Sequence, residues 1–337
     1  MTSEEIIKKG KDILAKQGIV ESSGEYGGKI LEAGVPGLGA VGGGVTFLRN
    51  REALAKYFIK ICLLGKHFTP DSSVELFGVK LAFPILPASM GGIKTSLKDF
   101  IKEKDFHQAI LEGSKDAGTL GMCGDGFDTS SEYLVPDLIK SVGGIAVCKP
   151  RNFEKLKERI EKLKKAGVTA IGIDLDGAAG KLLETGQVTR KDAKELKKIR
   201  QLFSGPMFLK GIMSVEDAVI AYKSGFDAIV ISNHGGRSID YSLGTADILP
   251  LIAKKLKGKI KILVDGGVKN GYDVFVYLAL GADAVLVGRS MLYSVIGGGK
   301  KGVETTFNKF SSELKRAMLF TGRSEIADID SKVLGKY

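Results

Sequence analysis

Val215-Glu-Asp-Ala-Val-Ile-Ala-Tyr-Lys-Ser-Gly225-Phe-Asp-Ala-Ile-Val-Ile231-Ser-Asn-His-Gly-Gly-Arg237 is the stretch on which the fold turns. It opens with an amphipathic helical pattern, Val215–Ser224, that Gly225 stops. Ala228 to Ile231 is a continuous apolar run, the pattern of a parallel strand buried on both faces. The run ends in a glycine-softened turn carrying His234 and Arg237. Tyr272–Leu280, followed by Gly281-Ala-Asp-Ala-Val-Leu286, is a near copy of the same helix–glycine–strand unit.

Working outward, eight short apolar runs recur, each followed by a helical pattern. They are Leu81–Ser89, Thr119–Gly124, Ile145–Pro150, Ala170–Asp176, Met207–Ile212, Ala228–Asn233, Lys261–Gly267 and Ala284–Arg289. The amphipathic stretches between them include Phe106–Ala117, Phe153–Ala166, Asp192–Phe203 and Gly271–Leu280. Eight strand–helix units predict an α/β protein, a single (β/α)8 TIM barrel over residues 81–337. Residues 1–80 read as an N-terminal helical and glycine-rich segment packing on that barrel. Within it, Gly34–Gly44 holds six glycines and one proline, read either as a connector or as a loop against the site. Thr46–Leu64 reads as a helix packing under the barrel, and Val303–Phe320 as an amphipathic final helix.

The residues with chemistry fall where a barrel keeps its active site, at the carboxyl ends of strands. Asp176, Lys210, His234, Asp265 and Arg289 all occupy such positions. A histidine accepts a proton near neutral pH, and an arginine three residues on grips a carboxylate with a planar fork. A base beside a carboxylate clamp suits chemistry alpha to a carboxylate. Two later loops, Asp265-Gly-Gly-Val-Lys269 and Gly288-Arg289, combine glycine-freed backbone amides with a cation, the makings of a phosphate cradle.

Composition narrows the partners. The net charge is +11, yet the lysines alternate with glutamates at helical spacing, as in Phe153–Lys165, which is a solvated face. No basic run is interleaved with aromatics and tryptophan is absent, so no nucleic-acid partner is expected. No apolar stretch approaches the roughly 20 residues of a membrane span. Met1–Gln17 is a charged amphipathic pattern and not a signal peptide, so a cytoplasmic location is expected. Cys62, Cys123 and Cys148 have no metal spacing and there are three histidines, so no metal site is expected.

These motifs resemble the FMN-dependent 2-hydroxy-acid oxidase and dehydrogenase family, which includes glycolate oxidase, lactate oxidase and flavocytochrome b2. The similarity runs from Phe208-Leu-Lys-Gly-Ile to Thr321-Gly-Arg-Ser-Glu-Ile. It centres on Ser232-Asn-His-Gly-Gly-Arg237, Asp265-Gly-Gly-Val268, Ala279-Leu-Gly-Ala-Asp283 and Gly288-Arg289. A weaker similarity covers Asn50-Arg51, Leu76-Phe-Gly78 and Pro84 to Met90. The resemblance implies FMN in the barrel and oxidation of a small anionic 2-hydroxy acid to the 2-oxo acid. It implies His234 as base, Asp176 as the carboxylate holding it, Arg237 as substrate clamp, and Lys210 beside the flavin's N1/O2 edge. It implies flavin contacts from Ala88, Ser89, Ser232, Asp265, Gly266 and Gly267, and a phosphate site at Lys269, Gly288 and Arg289. A homo-oligomer, tetramer or octamer, is also implied.

The departures lie in the substrate layer. The N-terminal tyrosine of the family has no counterpart in Gly34–Gly44, and Tyr26 is the nearest. A second tyrosine is expected where this chain reads Ile145-Ala-Val-Cys-Lys-Pro150. Gly124 replaces a polar flavin contact and Asp174 stands where threonine is usual. The loop after Asp176 is short, with Lys181 its early cation. The glycine-rich N-terminal loop is similar to that of a short bacterial branch, and the missing tyrosines with the short loop imply a substrate other than glycolate and short lactate-like acids. The alternative reading is an isopentenyl-diphosphate-isomerase-like flavoenzyme without net oxidation, which the base and clamp fit poorly.

Overall fold

The structure is a computed structural model that describes residues 1–19, 39–93, 97, 100–126, 133–178 and 188–337. Before the barrel come helix α1 (Ser3–Lys16), helix α2 (Val45–Ala55), strand β1 (Tyr57–Ile59) and the hairpin β2 (Val74–Leu76) and β3 (Val79–Leu81). The barrel strands are β4 (Ile85–Pro87), β5 (Met122–Gly124), β6 (Ile145–Cys148), β7 (Ala170–Asp174), β8 (Met207–Ile212), β9 (Ala228–Ile231), β10 (Lys261–Val264) and β11 (Ala284–Val287). They pair in parallel in the order β4-β11-β10-β9-β8-β7-β6-β5. The ring closes between β4 and β5 through a parallel bridge, Met90 to Cys123, where the Gly124 amide donates to the Met90 carbonyl at 2.9 Å. The sheet is therefore a (β/α)8 barrel.

The apolar runs are continuous because both faces of each strand are buried. Inside, Leu86, Met122, Val147, Phe208, Val230 and Leu286 fill the barrel. The β2–β3 hairpin stops its amino end, with Phe77 stacked on Phe208 at 5.8 Å between centroids. Gly172 has to be small, because a Cβ there would come within 2.4 Å of the Phe208 ring. Outside, helices lay narrow apolar stripes on the strands. In the helix Phe153–Lys165 the buried residues Leu156, Ile160 and Leu163 recur at helical spacing, and Asn152 caps its start by accepting from the Lys155 amide at 3.0 Å. Each such fully buried leucine or isoleucine is worth about 1.5–3 kcal/mol of transfer free energy.

Three expectations need correcting. The Thr46–Leu64 helix stops at Ala55, and Tyr57–Ile59 instead pairs antiparallel with a late strand, Leu334–Lys336. The same helix lies over the carboxyl ends of the strands, not under the barrel, as its contacts below show. Strand one is shorter than Leu81–Ser89, because Leu81 belongs to the hairpin. The final helical segment runs Arg289–Thr321 and is broken at Gly299 (φ 56°, ψ −146°), so the expected Val303–Phe320 is its second half. α1 crosses the first half closely enough that a Cβ on Gly10 would meet the Tyr293 carbonyl oxygen at 2.1 Å. Among the described residues no helix is long and apolar enough to cross a membrane.

Candidate active site

A cavity of about 320 Å³ opens at the carboxyl ends of the strands. Its wall includes Asp176, Lys210, His234, Arg237, Asp265 and Arg289, brought together from β7 to β11 and the loops that follow them. Ala88, Ser89, Gly124, Asp174, Gly266, Gly267, Lys269 and Gly288 line it too. Ser232 sits behind His234, its hydroxyl accepting from the His234 amide at 3.1 Å. The expected site residues therefore converge on one volume.

The His234 turn is a strained backbone. His234, Gly235 and Gly236 have φ of 55°, 61° and 82°, a left-handed run that costs a non-glycine residue roughly 1–2 kcal/mol. Gly236 admits no side chain, because a Cβ would lie 2.8 Å from the Phe47 amide nitrogen. Arg289 braces the turn by donating to the Gly235 carbonyl at 3.0 Å while its guanidinium covers the Phe47 ring at 4.5 Å. The turn aims Nδ1 of His234 at Asp176 Oδ1, 3.1 Å away. An ionised carboxylate only accepts, so Nδ1 is the donor and Nε2 is the ring nitrogen not engaged by Asp176.

Under the histidine lies an alternation of buried charge. Lys210 Nζ is 3.0 Å from Asp174 Oδ1, 3.5 Å from Asp176 Oδ1 and 4.0 Å from Asp265 Oδ2. Burial by itself would raise the Asp176 carboxyl, but Lys210 and His234 beside it outweigh burial and hold it well below the usual range. Burial and the neighbouring Asp176 push Asp174 up, against Lys210. Burial likewise raises Asp265. Burial would lower the Lys210 ammonium, and the three carboxylates reverse that and raise it. Arg237 is pulled down to about 10 by burial and by Arg289 nearby, and among the described residues no carboxylate faces it. An anion is the natural complement of the Arg237 guanidinium. Asp174, Asp176 and His234 present ligand atoms within 4.8 Å of one another, a spacing that suits a metal ion, but the Lys210 ammonium already takes the cation's place between the two carboxylates.

α2 roofs one side of the cavity through contacts that the sequence motifs do not announce. Asn50 and Asn233 exchange side-chain hydrogen bonds at 3.0 and 2.9 Å, both fully buried. Asn50 Oδ1 also accepts from the Thr245 amide at 3.2 Å. Arg51 donates to the Gly267 carbonyl at 2.6 Å and to Asp273 at 2.7 Å. Thr46 and Asp240 tie the helix to the loop after His234, the Thr46 amide donating to the Asp240 carboxylate at 2.9 Å. Only the weak Asn50-Arg51 similarity pointed here.

Comparison with known proteins fits this geometry. The family model described as FMN-dependent dehydrogenase matches residues 38–182 and 179–336. The chain belongs to the FMN-dependent dehydrogenase family. An L-lactate oxidase of Lactobacillus jensenii is 31% identical over 325 residues, covering 84% of this chain and 76% of that protein. An L-lactate dehydrogenase of Xanthomonas campestris pv. campestris is 46% identical over 143 residues, 42% of this chain, and the match spans only 37% of that protein's length. In overall fold, a mandelate oxidase variant with (S)-mandelic acid covers all of this chain at a TM-score of 0.79 and 23% identity. A second structure of that variant, with a C4a-OH-FMN adduct, gives 0.75 over 88% of the chain at 25% identity.

The cavity's residues fit the FMN that the family's description names. The cavity lies within the common range for ligand sites of roughly 300–1,000 Å³. Ser89 Oγ and Asp265 Oδ1 on its wall are buried and have no hydrogen-bond partner among the described residues. A Cβ on Gly288 would meet only Ala88, at 3.9 Å, so the glycine opens the cavity floor at the start of the helix beginning with Arg289. Helix starts of this kind take phosphate. Two glycines have a reason internal to the protein. At Gly124 a Cβ would lie 2.7 Å from the Met90 carbonyl carbon, so its size is set by closure of the barrel. Gly266 faces Thr245 and Asn50. The glycine-rich loop before Gly39, Tyr26 and Lys181 lie outside the described residues. In the stretch Ile145–Pro150, where the second tyrosine is expected, Lys149 lines the cavity, its Nζ 3.8 Å from Asp174 Oδ2.

Proposed function

We propose that the chain oxidises a small anionic 2-hydroxy acid to the corresponding 2-oxo acid. The observation that carries this reading is the seat of His234. Its Nδ1 is held 3.1 Å from the ionised Asp176, and Arg237, without a carboxylate partner among the described residues, lines the same cavity. The relatives named for lactate, and the neighbour named for mandelate, point to the same substrate class.

When bound, FMN supplies the two-electron acceptor. Nε2 of His234 takes a proton from the substrate, and Asp176 stabilises the imidazolium that results and fixes the ring. Arg237 grips the substrate carboxylate with two parallel hydrogen bonds. Lys210 supplies fixed positive charge to the flavin ring. Ala88, Ser89, Gly124, Asp174, Ser232, Asp265, Gly266 and Gly267 would hold the flavin, and Lys269, Gly288 and Arg289 would hold its phosphate. The test is anaerobic mixing of the yellow protein with glycolate, lactate, mandelate and a long-chain 2-hydroxy acid. At least one should bleach the flavin. A flavin that stays oxidised with every acid, yet supports an isomerisation once reduced beforehand, refutes the proposal.

A further inference from the structure

Lys149, Asp174 and Lys210 stand side by side on β6, β7 and β8. Asp174 and Lys210 are register partners, and Lys149 follows the Cys148–Ile173 pair, which puts it opposite Asp174. Residues so paired across strands interact directly. All three side chains are buried, and all three face the cavity. The spacing is cation–anion–cation, with Asp174 3.8 Å from Lys149 and 3.0 Å from Lys210. Gly177 preserves the arrangement. A Cβ there would come within 2.8 Å of Asp174 Oδ2 and 2.9 Å of Lys149 Nζ.

Of the carboxylates around Lys210, Asp176 already serves His234, and Asp265 is the more distant at 4.0 Å. Asp174 stands further from the imidazole: its side chain neighbours Asp176 and pairs with Lys210, Lys149 and, at 3.9 Å, His234. A carboxylate placed against Lys210 weakens the positive field that the cavity feels. A further cation beside that carboxylate restores part of it. Reduction of a flavin adds negative charge to its ring, so fixed charges on the cavity wall shift the equilibrium between its oxidised and reduced forms.

We propose that Asp174 and Lys149 form a charge pair that sets the reduction potential of the bound flavin, Asp174 lowering it by offsetting Lys210 and Lys149 limiting that effect. The inference rests on FMN occupying this cavity. It makes the two side chains opposed controls on one quantity, which a purely structural ion pair does not.

The experiment uses the holoenzyme and two readouts that need no substrate. Sulfite adds reversibly to oxidised FMN and leaves negative charge on the ring, so its affinity follows the local field. The midpoint potential follows from dye equilibration. Asp174→Asn should bind sulfite about tenfold more tightly, as expected for one unit charge a few ångströms away in a partly screened site. On the two-electron potential a tenfold change is about 30 mV upward. Lys149→Met should move both quantities the other way. Should Asp174→Asn release its flavin, Asp174→Thr takes its place, and Lys149→Met still has to show the opposite sign. Shifts of the same sign in the two variants, or none, overturn the inference. If no 2-hydroxy acid bleaches the wild-type flavin while the opposed shifts appear, the proposed reaction fails and the charge pair stands.

Discussion

Asp176→Asn isolates the charge that His234 leans on. The substitution keeps the shape and leaves an oxygen or an amide 3.1 Å from Nδ1, but removes the anion. The loss is bounded from two sides. An unscreened estimate at that distance with an effective dielectric near 20 gives roughly 5 kcal/mol. Hydrogen bonds to charged groups measure about 1.5–3 kcal/mol in proteins. Lys210, 3.5 Å from the same oxygen, screens the carboxylate, so the lower range applies. Converted at 1.36 kcal/mol per decade, that is a fall of ~10–150-fold in the rate of anaerobic flavin reduction by substrate. His234→Ala should cost about 10²–10⁴-fold. The double variant should be barely slower than His234→Ala alone, because Asp176 acts through the ring. Stopped-flow at saturating acid measures all three, with flavin content and melting temperature checked first. Flavin reduction by Asp176→Asn within twofold of wild type would falsify the orienting role. So would full additivity with His234→Ala.

Four further outcomes follow from other parts of the site. Arg237→Lys should raise KM for the acid more than it lowers kcat, because an ammonium cannot make the two-pronged contact; an unchanged KM removes the clamp. In steady-state comparison, acids larger than glycolate should have the higher kcat/KM, since the cavity wall in the stretch where the resemblance expects a substrate tyrosine carries Lys149 and no tyrosine; a clear preference for glycolate counts against this. Gly124→Ala should lower the melting temperature of the flavin-free protein as well as the holoenzyme, by about 1–3 kcal/mol of overpacking, because its Cβ meets the Met90 backbone at 2.7 Å; a loss seen only in the holoenzyme would make the flavin contact, and not barrel closure, the reason for the glycine. Asp240 supplies the pH test. Burial favours its neutral form, but the Thr46 and Tyr241 amides hold the carboxyl below its ordinary value. A depressed folded value stabilises above the unfolded pKa of roughly 4 and is lost as pH falls through the folded value. Wild type should therefore melt above Asp240→Ala at pH 6, and the gap should narrow below pH 4. A gap independent of pH would show that the carboxylate's charge is not what binds loop to helix.

Much of this was readable from the chain because its signals are local. Each buried parallel strand is an unbroken apolar run, and Val230 or Leu263 could hardly sit elsewhere. The candidate side chains follow those runs within a few positions, so finding the strands found Asp176, Lys210, His234 and Asp265 on one cavity wall. The failures were long-range. Tyr57-Phe-Ile looks like the end of a helix until Leu334–Lys336 offers it a partner. Asn50 is an ordinary polar residue until Asn233, 183 positions later, meets it. Gly124 carries no mark that separates a ligand contact from a closing barrel. Lys149 carries no signal of its own in the sequence, and only the register across β6, β7 and β8 places it beside Asp174.

The seat of α2 has a consequence for assembly. The helix is made early in synthesis, but the groups it rests on, Asn233, the Gly267 carbonyl and Thr245, come from the last third of the chain. Tyr57–Ile59 waits longer still, for Leu334 to Lys336. Order of synthesis and order of docking run in opposite directions. Bringing such distant partners together carries a loop-closure cost that local contacts escape, and it slows the step that needs them. The barrel's strands and helices can therefore condense while the roof over His234 is still open. In refolding, recovery of far-ultraviolet ellipticity should precede tight retention of flavin, with the interval set by how fast residues 45–59 find their seat.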